Sequence, residues 1–138
     1  MSESETTRLP SRLHHTAYVV RDQRATRHFY ENLLGLPLVA TWTEADVLFG
    51  AERVYCHTFY GLADGSALAF FQFANPRDYE EFGPDFRPTP FIHIALKVDA
   101  EAQRQAEDRL TAAAWDCFVL EHGYCRSLYA TDPDGMIV

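Results

Sequence analysis

Leu13-His14-His15-Thr16-Ala17-Tyr18-Val19-Val20-Arg21-Asp22 is an apolar, β-branched-rich run closed by an aspartate. Phe91-Ile92-His93-Ile94-Ala95-Leu96-Lys97-Val98-Asp99 repeats the design. Each run has a strand's composition with a histidine near its head, and each opens into a helix-like segment. Asp22 and Asp99 suit the helix N-cap, where a carboxylate accepts from the unpaired amides of the first turn. One histidine at the head of a buried strand is ordinary. Two at equivalent places in two copies of one unit point to a site built between the copies.

Working outward, the first helix carries Phe29 and Leu33, and Tyr30 and Leu34, as i,i+4 pairs, and Gly35 is its expected stop. Strand-like runs follow at Leu36 to Trp42, Val54 to Leu62 and Ala67 to Phe73, the last two joined by the turn Ala63-Asp64-Gly65. Asn75 to Pro90, with its prolines and acids, reads as a linker. The order then repeats. The strand Phe91 to Val98 leads to a helix with Ala102, Ala106, Leu110 and Ala113 on one face. Strand-like runs follow near Cys117 to Leu120 and Tyr124 to Thr131, then the turn Asp132-Pro133-Asp134-Gly135 and the run Met136-Ile137-Val138. Each half is β-α-β-β-β, and neither half buries its sheet alone. The expected architecture is therefore α+β, two paired βαβββ modules in a curved mixed sheet around a cavity. The expected organisation is a tail over 1–12 and one domain over 13–138, with module one at 13–74, the linker at 75–90 and module two at 91–138.

Composition narrows the function. The chain has 138 residues and a formal charge of −8, which with no basic stripe disfavours nucleic acid. No apolar run approaches the roughly 20 residues of a membrane helix, and the acidic start Met1-Ser2-Glu3-Ser4-Glu5 is unlike a signal peptide. Cys56, Cys117 and Cys125 lack metal-type spacing, and reduced thiols in a cytoplasmic protein are the simplest account. The expected partner is a small molecule.

His15 through Asp22, Phe29-Tyr30-Glu31-Asn32-Leu33-Leu34-Gly35, His93 through Asp99 and Asp132-Pro133-Asp134-Gly135 together resemble the vicinal oxygen chelate superfamily. That superfamily includes glyoxalase I, extradiol dioxygenases, fosfomycin and bleomycin resistance proteins and methylmalonyl-CoA epimerase. The resemblance spans nearly the whole chain after the tail and implies a metal-binding cavity and a homodimer. It implies His15 and His93 as metal ligands. The family's third ligand, a glutamate four residues after the turn glycine, falls at the place immediately after Val138, and the natural chain is expected to continue there. Two imidazoles and a carboxylate on one face of a metal suit Fe(II) oxygen chemistry. The same set holds Mn(II), Zn(II) or Ni(II) as Lewis acids. Glyoxalase I and the epimerase use a fourth ligand, which matches Ala69 here. An alanine cannot ligate, so the pattern is nearer the three-ligand dioxygenases and fosfomycin-resistance enzymes.

Strand alternation puts Phe71 and Phe73 beside Ala69 on the cavity side, as an aromatic wall. Tyr129 matches a tyrosine that extradiol and fosfomycin-resistance enzymes place near the substrate, with Ser127 and Cys125 pointing the same way. His122 lies near the extradiol loop histidine, two residues out of register. The family's acid–base histidine aligns with Ser66 or Ala67, so it is missing, and His57 is the candidate substitute. His14 alternates to the opposite face and reads as structural. The competing readings are plain packing for Tyr129, His57 and His122, and for Arg126 a solvated edge instead of an anion contact. The leading expectation is an Fe(II) extradiol-type dioxygenase acting on a small aromatic or enediol substrate. The alternatives are a glyoxalase-like lyase or isomerase and a metal-free drug-binding protein of the bleomycin-resistance kind. A fosfomycin-type transferase fits poorly, because His122-Gly123-Tyr124-Cys125-Arg126-Ser127 is unlike that family's potassium-binding loop.

Overall fold

Asp22 caps the first helix as expected, its carboxylate accepting from Arg24 N at 2.9 Å. The computed structural model describes residues 6–84 and 89–138, so 1–5 of the expected tail and 85–88 of the expected linker lie outside the described residues. Strand β1 (His15–Val19) leads to helix α1 (Gln23–Arg27), which widens into a π-helical turn over His28–Leu33. The wider turn lets Phe29, Tyr30 and Leu33 all be buried. Gly35 has φ +81°, a conformation that demands glycine, and it sits against the Arg109 guanidinium.

Strands β2 (Leu38–Leu48) and β3 (Ala51–Gly61) form a long hairpin, and β4 (Ala67–Phe73) returns between β3 and β1. The sheet order is β1-β4-β3-β2, with β1 parallel to β4 and the other pairs antiparallel. β4 has the expected bounds. β2 runs six residues past the expected Trp42, because the tight turn at Phe49-Gly50, with φ 54° and 84°, keeps the polar stretch Thr43–Asp46 paired to β3. The expected linker holds a helix, α2 (Pro76–Phe82), capped by Asn75.

Module two contributes α3 (Ala100–Ala112), capped by Asp99, then β5 (Cys117–Glu121) and β6 (Arg126–Ala130). The expected strand Phe91 to Val98 is only partly realised. His93 bridges Ile137 in parallel and Ala130 pairs with Val138, so the order 93–98, 136–138, β6, β5 repeats module one's β1-β4-β3-β2. The run 136–138 pairs with only the head of 93–98, which leaves the rest outside any sheet. No helix among the described residues is long and apolar enough to cross a membrane.

The modules share one core. Val20, Phe29, Tyr30, Leu33, Tyr60, Leu68 and Phe70 of module one meet Leu110 and Ala130 of module two, with Ile94, Leu96, Trp115 and Leu128 packed around them. Polar contacts lock the same seam. The Tyr30 hydroxyl donates to Asp132 Oδ2 at 2.7 Å, Arg109 Nε to Leu33 O at 2.8 Å, and Arg21 N to Asp134 Oδ1 at 3.0 Å. Elsewhere the buried Arg53 guanidinium is paired with buried Asp78 and donates to the carbonyls of Leu48 and Phe49, which ties α2 to the β2–β3 hairpin.

Asp78→Ala leaves buried Arg53 with only the exposed Glu81 carboxylate, 3.6 Å away, as an acidic partner, and chemical denaturation is expected to show a loss of about 3 kcal/mol. Burial, together with neighbouring Asp132, raises the Asp134 pKa above the ordinary carboxylate value, against the opposing pull of the Arg21 amide. The native state therefore binds this proton more tightly than the unfolded chain, and stability falls as pH rises from the ordinary aspartate range through the raised pKa. Asp134→Asn keeps an acceptor for Arg21 N, so melting temperature should rise at pH 7 and the gain should fade towards pH 4. An equal or lower melting temperature at pH 7 would remove the burial penalty from the account.

Candidate metal centre

Pairing register decides which side chains meet. In β1, β4 and β3 the residues His15, Ala67 and Gly61 lie side by side, followed by Ala17, Ala69 and Phe59, then Val19, Phe71 and His57. Trp42 pairs with His57 from β2. All of these share the sheet face opposite the core. His15 is thus bordered by small residues on β4 and aromatic ones on β3. The ring centroids of His15 and Phe59 are 5.5 Å apart, Phe59 stacks on Trp42 at 5.0 Å, and His57 stacks on Phe71 at 3.7 Å. Tyr55 continues the wall beside Phe71 and Phe73. Its hydroxyl lies 2.7 Å from Asp46 Oδ2 and 3.0 Å from Glu44 Oε2, and the bond to Asp46 pushes its pKa up.

His57 is the polar group of this wall. It is buried, and its Nε2 has no hydrogen-bond partner among the described residues. Burial, with His15 as a secondary cause, pushes its pKa down, so the neutral imidazole is favoured.

The second face belongs to module two. Tyr129 stacks on Phe118 at 5.0 Å and stands edge-on to His93 at 5.9 Å. Ser127 lies two residues back on the same face, 3.8 Å from Cys125 Sγ. His93 Nδ1 is 2.9 Å from Pro90 O. A carbonyl only accepts, so Nδ1 carries the proton and Nε2 is left as the free lone pair, the arrangement a metal-binding imidazole needs. His15 Nδ1 is 2.9 Å from His14 Nδ1, a contact in which one ring donates and the other accepts. The donor chemistry of His93 therefore fits a divalent metal, and His15 fits it in the tautomer that donates from Nδ1 to His14.

The chain keeps the two faces apart. The ring neighbours of His15 are His14 and Phe59, and that of His93 is Tyr129. No group of three His, Cys, Asp or Glu able to hold a metal occurs among the described residues. His15, His57, Phe71 and Phe73 come together on one face, and His93, Tyr129 and Ser127 on the other. Two sequence candidates fall elsewhere. Arg126 points to α3, donating to Gln103 Oε1 at 2.7 Å and Glu107 Oε2 at 2.9 Å, because alternation puts it on the side opposite Tyr129. His122 stacks on exposed Tyr124 at the β5–β6 hairpin. His14, read as structural, lies immediately ahead of β1, with its carbonyl accepting from Ala67 N at 3.1 Å and its ring bonded to His15. Trp42, Tyr55 and Phe59 were missed. Tyr55 and Phe59 share the parity of His57, a signal the sequence held, whereas Trp42 needs the hairpin register.

The profile of the Glyoxalase/Bleomycin resistance protein/Dioxygenase superfamily matches residues 12–138, and the chain belongs to that superfamily. Solved structures agree on the fold. A point mutant of the fosfomycin resistance protein FosX from Listeria monocytogenes, complexed with Mn(II) and 1S,2S-dihydroxypropylphosphonic acid, matches at 19% identity and TM-score 0.64, over 94% of this chain and 90% of that one. FosX from Mesorhizobium loti matches at 21% identity and TM-score 0.61, covering 94% and 89%. A glyoxylase/bleomycin resistance protein/dioxygenase domain from Frankia sp. EAN1pec gives 17% identity and TM-score 0.67, covering 94% and 89%. No curated protein matches the chain.

Proposed function

We propose that this protein is a divalent-metal-dependent enzyme of the superfamily, with His15 and His93 as ligands and an extradiol-type dioxygenase reaction on a small aromatic or enediol substrate. The carrying observation is the tautomer-fixing contact of His93 with Pro90 O, on a face shared with Tyr129. The aromatic wall of His57, Phe59, Phe71 and Trp42 favours a flat, apolar substrate. Arg126, spent on α3, leaves an anionic substrate less well served, which weighs against a phosphonate. Ala69, buried between Ala17 and Phe59, offers no fourth ligand for a glyoxalase-like lyase or isomerase.

The residues divide the work as follows. Phe71 and Phe73 pack the substrate ring and exclude water. Tyr129 donates a hydrogen bond to a substrate oxygen, assisted by Ser127. His57, held neutral by burial, is the acid–base candidate of the wall. When bound, the metal supplies Lewis acidity and, as Fe(II), one-electron chemistry with O₂.

The working site lies between two copies. Both helix-side faces are consumed by the shared core, so the His15 and His93 faces look outward with Trp42, Phe118 and Leu120 exposed on them. A two-fold pairing sets the first face of one copy against the second face of the other, and builds two sites.

Elemental analysis after anaerobic Fe(II) loading tests the ligands. Near-stoichiometric metal should be lost in both His15→Ala and His93→Ala, whereas a parent without metal would leave a binding protein. Mixing the two variants tests the shared site. Each mixed dimer regains one intact site, so about a quarter of the parental metal should return, and no recovery would put both ligands in one chain.

A further inference from the structure

The ring of His15 is held from two sides. The Phe59 ring lies against it at 5.5 Å between centroids, and the His14 ring stands edge-on to it at 5.2 Å and 78°. The contact with His14 is polar. Its two Nδ1 atoms lie 2.9 Å apart, a hydrogen-bond distance between nitrogens of the same kind. A neutral imidazole has one N–H and one lone pair, so a single proton sits between the rings. The ring that owns this proton has a bare lone pair on its Nε2, and the other ring has its proton there. Only one of the two histidines therefore leaves the contact with a free Nε2 for a metal.

His14 is well placed to serve its neighbour. It precedes β1, yet its carbonyl accepts from Ala67 N at 3.1 Å, which ties its backbone to β4 where the pairing of His15 with Ala67 begins. The repeat within the fold indicates which ring donates. His15 pairs in parallel with Ala67 in module one, and His93 bridges Ile137 in parallel in module two. At His93 the direction is fixed: Nδ1 lies 2.9 Å from Pro90 O, three residues earlier, and a carbonyl only accepts. His93 thus donates from Nδ1 and keeps Nε2 bare. Each half places an acceptor shortly before its histidine, a backbone carbonyl in one and a ring nitrogen in the other.

We infer that His14 is a positioning residue for His15. Its Nδ1 lone pair accepts from the His15 Nδ1–H, which sets the tautomer of His15 and leaves Nε2 as its free donor atom. His14 then carries its own proton on Nε2 and is not a ligand. The geometry of the contact stands by itself, whereas its purpose rests on the metal reading of His15. A partner of this kind orients a ligating imidazole and raises its basicity, and its loss typically costs about 10–100-fold in metal affinity.

Long-range ¹H–¹⁵N correlation spectra of the metal-free protein, in alkaline buffer, distinguish the protonated ring nitrogen from the bare one. The six histidines are assigned from single His→Gln variants. His15 should carry its proton on Nδ1 and His14 on Nε2. His14→Asn keeps an acceptor, and His15 should keep its tautomer. His14→Ala removes the acceptor, and the nitrogen shifts of His15 should average between the two tautomers. The bond from Ala67 N to the His14 carbonyl is main-chain and survives both changes, so both variants should melt with the parent. Zn(II), a diamagnetic probe, titrated against a chromophoric chelator, should bind His14→Ala about 10–100-fold more weakly than the parent and His14→Asn nearly as tightly. A His15 protonated on Nε2 in the parent, a His15 tautomer unchanged in His14→Ala, or equal Zn(II) affinity of His14→Ala and the parent would each overturn the inference. A loss of Zn(II) in His14→Asn as complete as in His15→Ala would make His14 a ligand, with both Nδ1 atoms on one metal, and overturn it as well. A parent that takes up no Zn(II), with the tautomer of His15 still dependent on His14, would uphold the contact and overturn the metal reading instead.

Discussion

The buried bond from the Tyr30 hydroxyl to Asp132 joins a helix of module one to the turn of module two, and the remaining geometry depends on that seam. Asp132 is already committed: its other oxygen accepts from the amides of Asp134 and Met136 at 2.9 Å. The turn that starts the run 136–138 is therefore shaped by the same carboxylate that holds the first helix. Burial and the neighbouring Asp132 carboxylate raise the Tyr30 pKa well above the usual phenol value, so the hydroxyl remains a donor. A donor and acceptor matched in a dry seam specify one arrangement of the modules, whereas apolar packing by itself tolerates sliding.

From that arrangement the direction of both sheet faces follows. A helix of five residues with one π-helical turn is too short to persist alone. It persists here because Phe29, Tyr30 and Leu33 fill the space between the two sheets. With the helices and their apolar sides spent in the middle, the faces carrying His15 and His93 have only one direction left, outward. The exposure of Trp42, Phe118 and Leu120 is a consequence of the same placement.

Much of this was legible in the residues. The repeated histidine settings located both halves, Asp22 and Asp99 marked both helix starts, and the Ala67–Phe73 strand matched its expected bounds. The failures have physical causes. The extension of β2 through Thr43–Asp46 depends on a two-residue turn with Phe49 at positive φ, a conformation that phenylalanine does not advertise. α2 was concealed in a proline-rich stretch, although Asn75-Pro76 is a proper cap and first-turn pair. The direction of Arg126 depends on Gln103 and Glu107 of α3, a tertiary contact that no local pattern carries. Pairing along 91–98 failed because a strand composition supplies only half of a ladder; the other half must be present to accept it.

That last point bears on the metal reading. His15 stands on a strand paired along its whole length with β4, so its position is over-determined by neighbouring bonds. His93 stands at the head of a segment anchored by Ile94 N to Ile137 O and by its own ring on Pro90 O, with the following residues unpaired. Segments with few backbone bonds open at the lowest free energies. A metal ligand, by contrast, must be held within a fraction of an ångström. The two proposed ligands are thus held by unequal means, His15 by a complete ladder and His93 by one neighbouring backbone bond and its contact with Pro90.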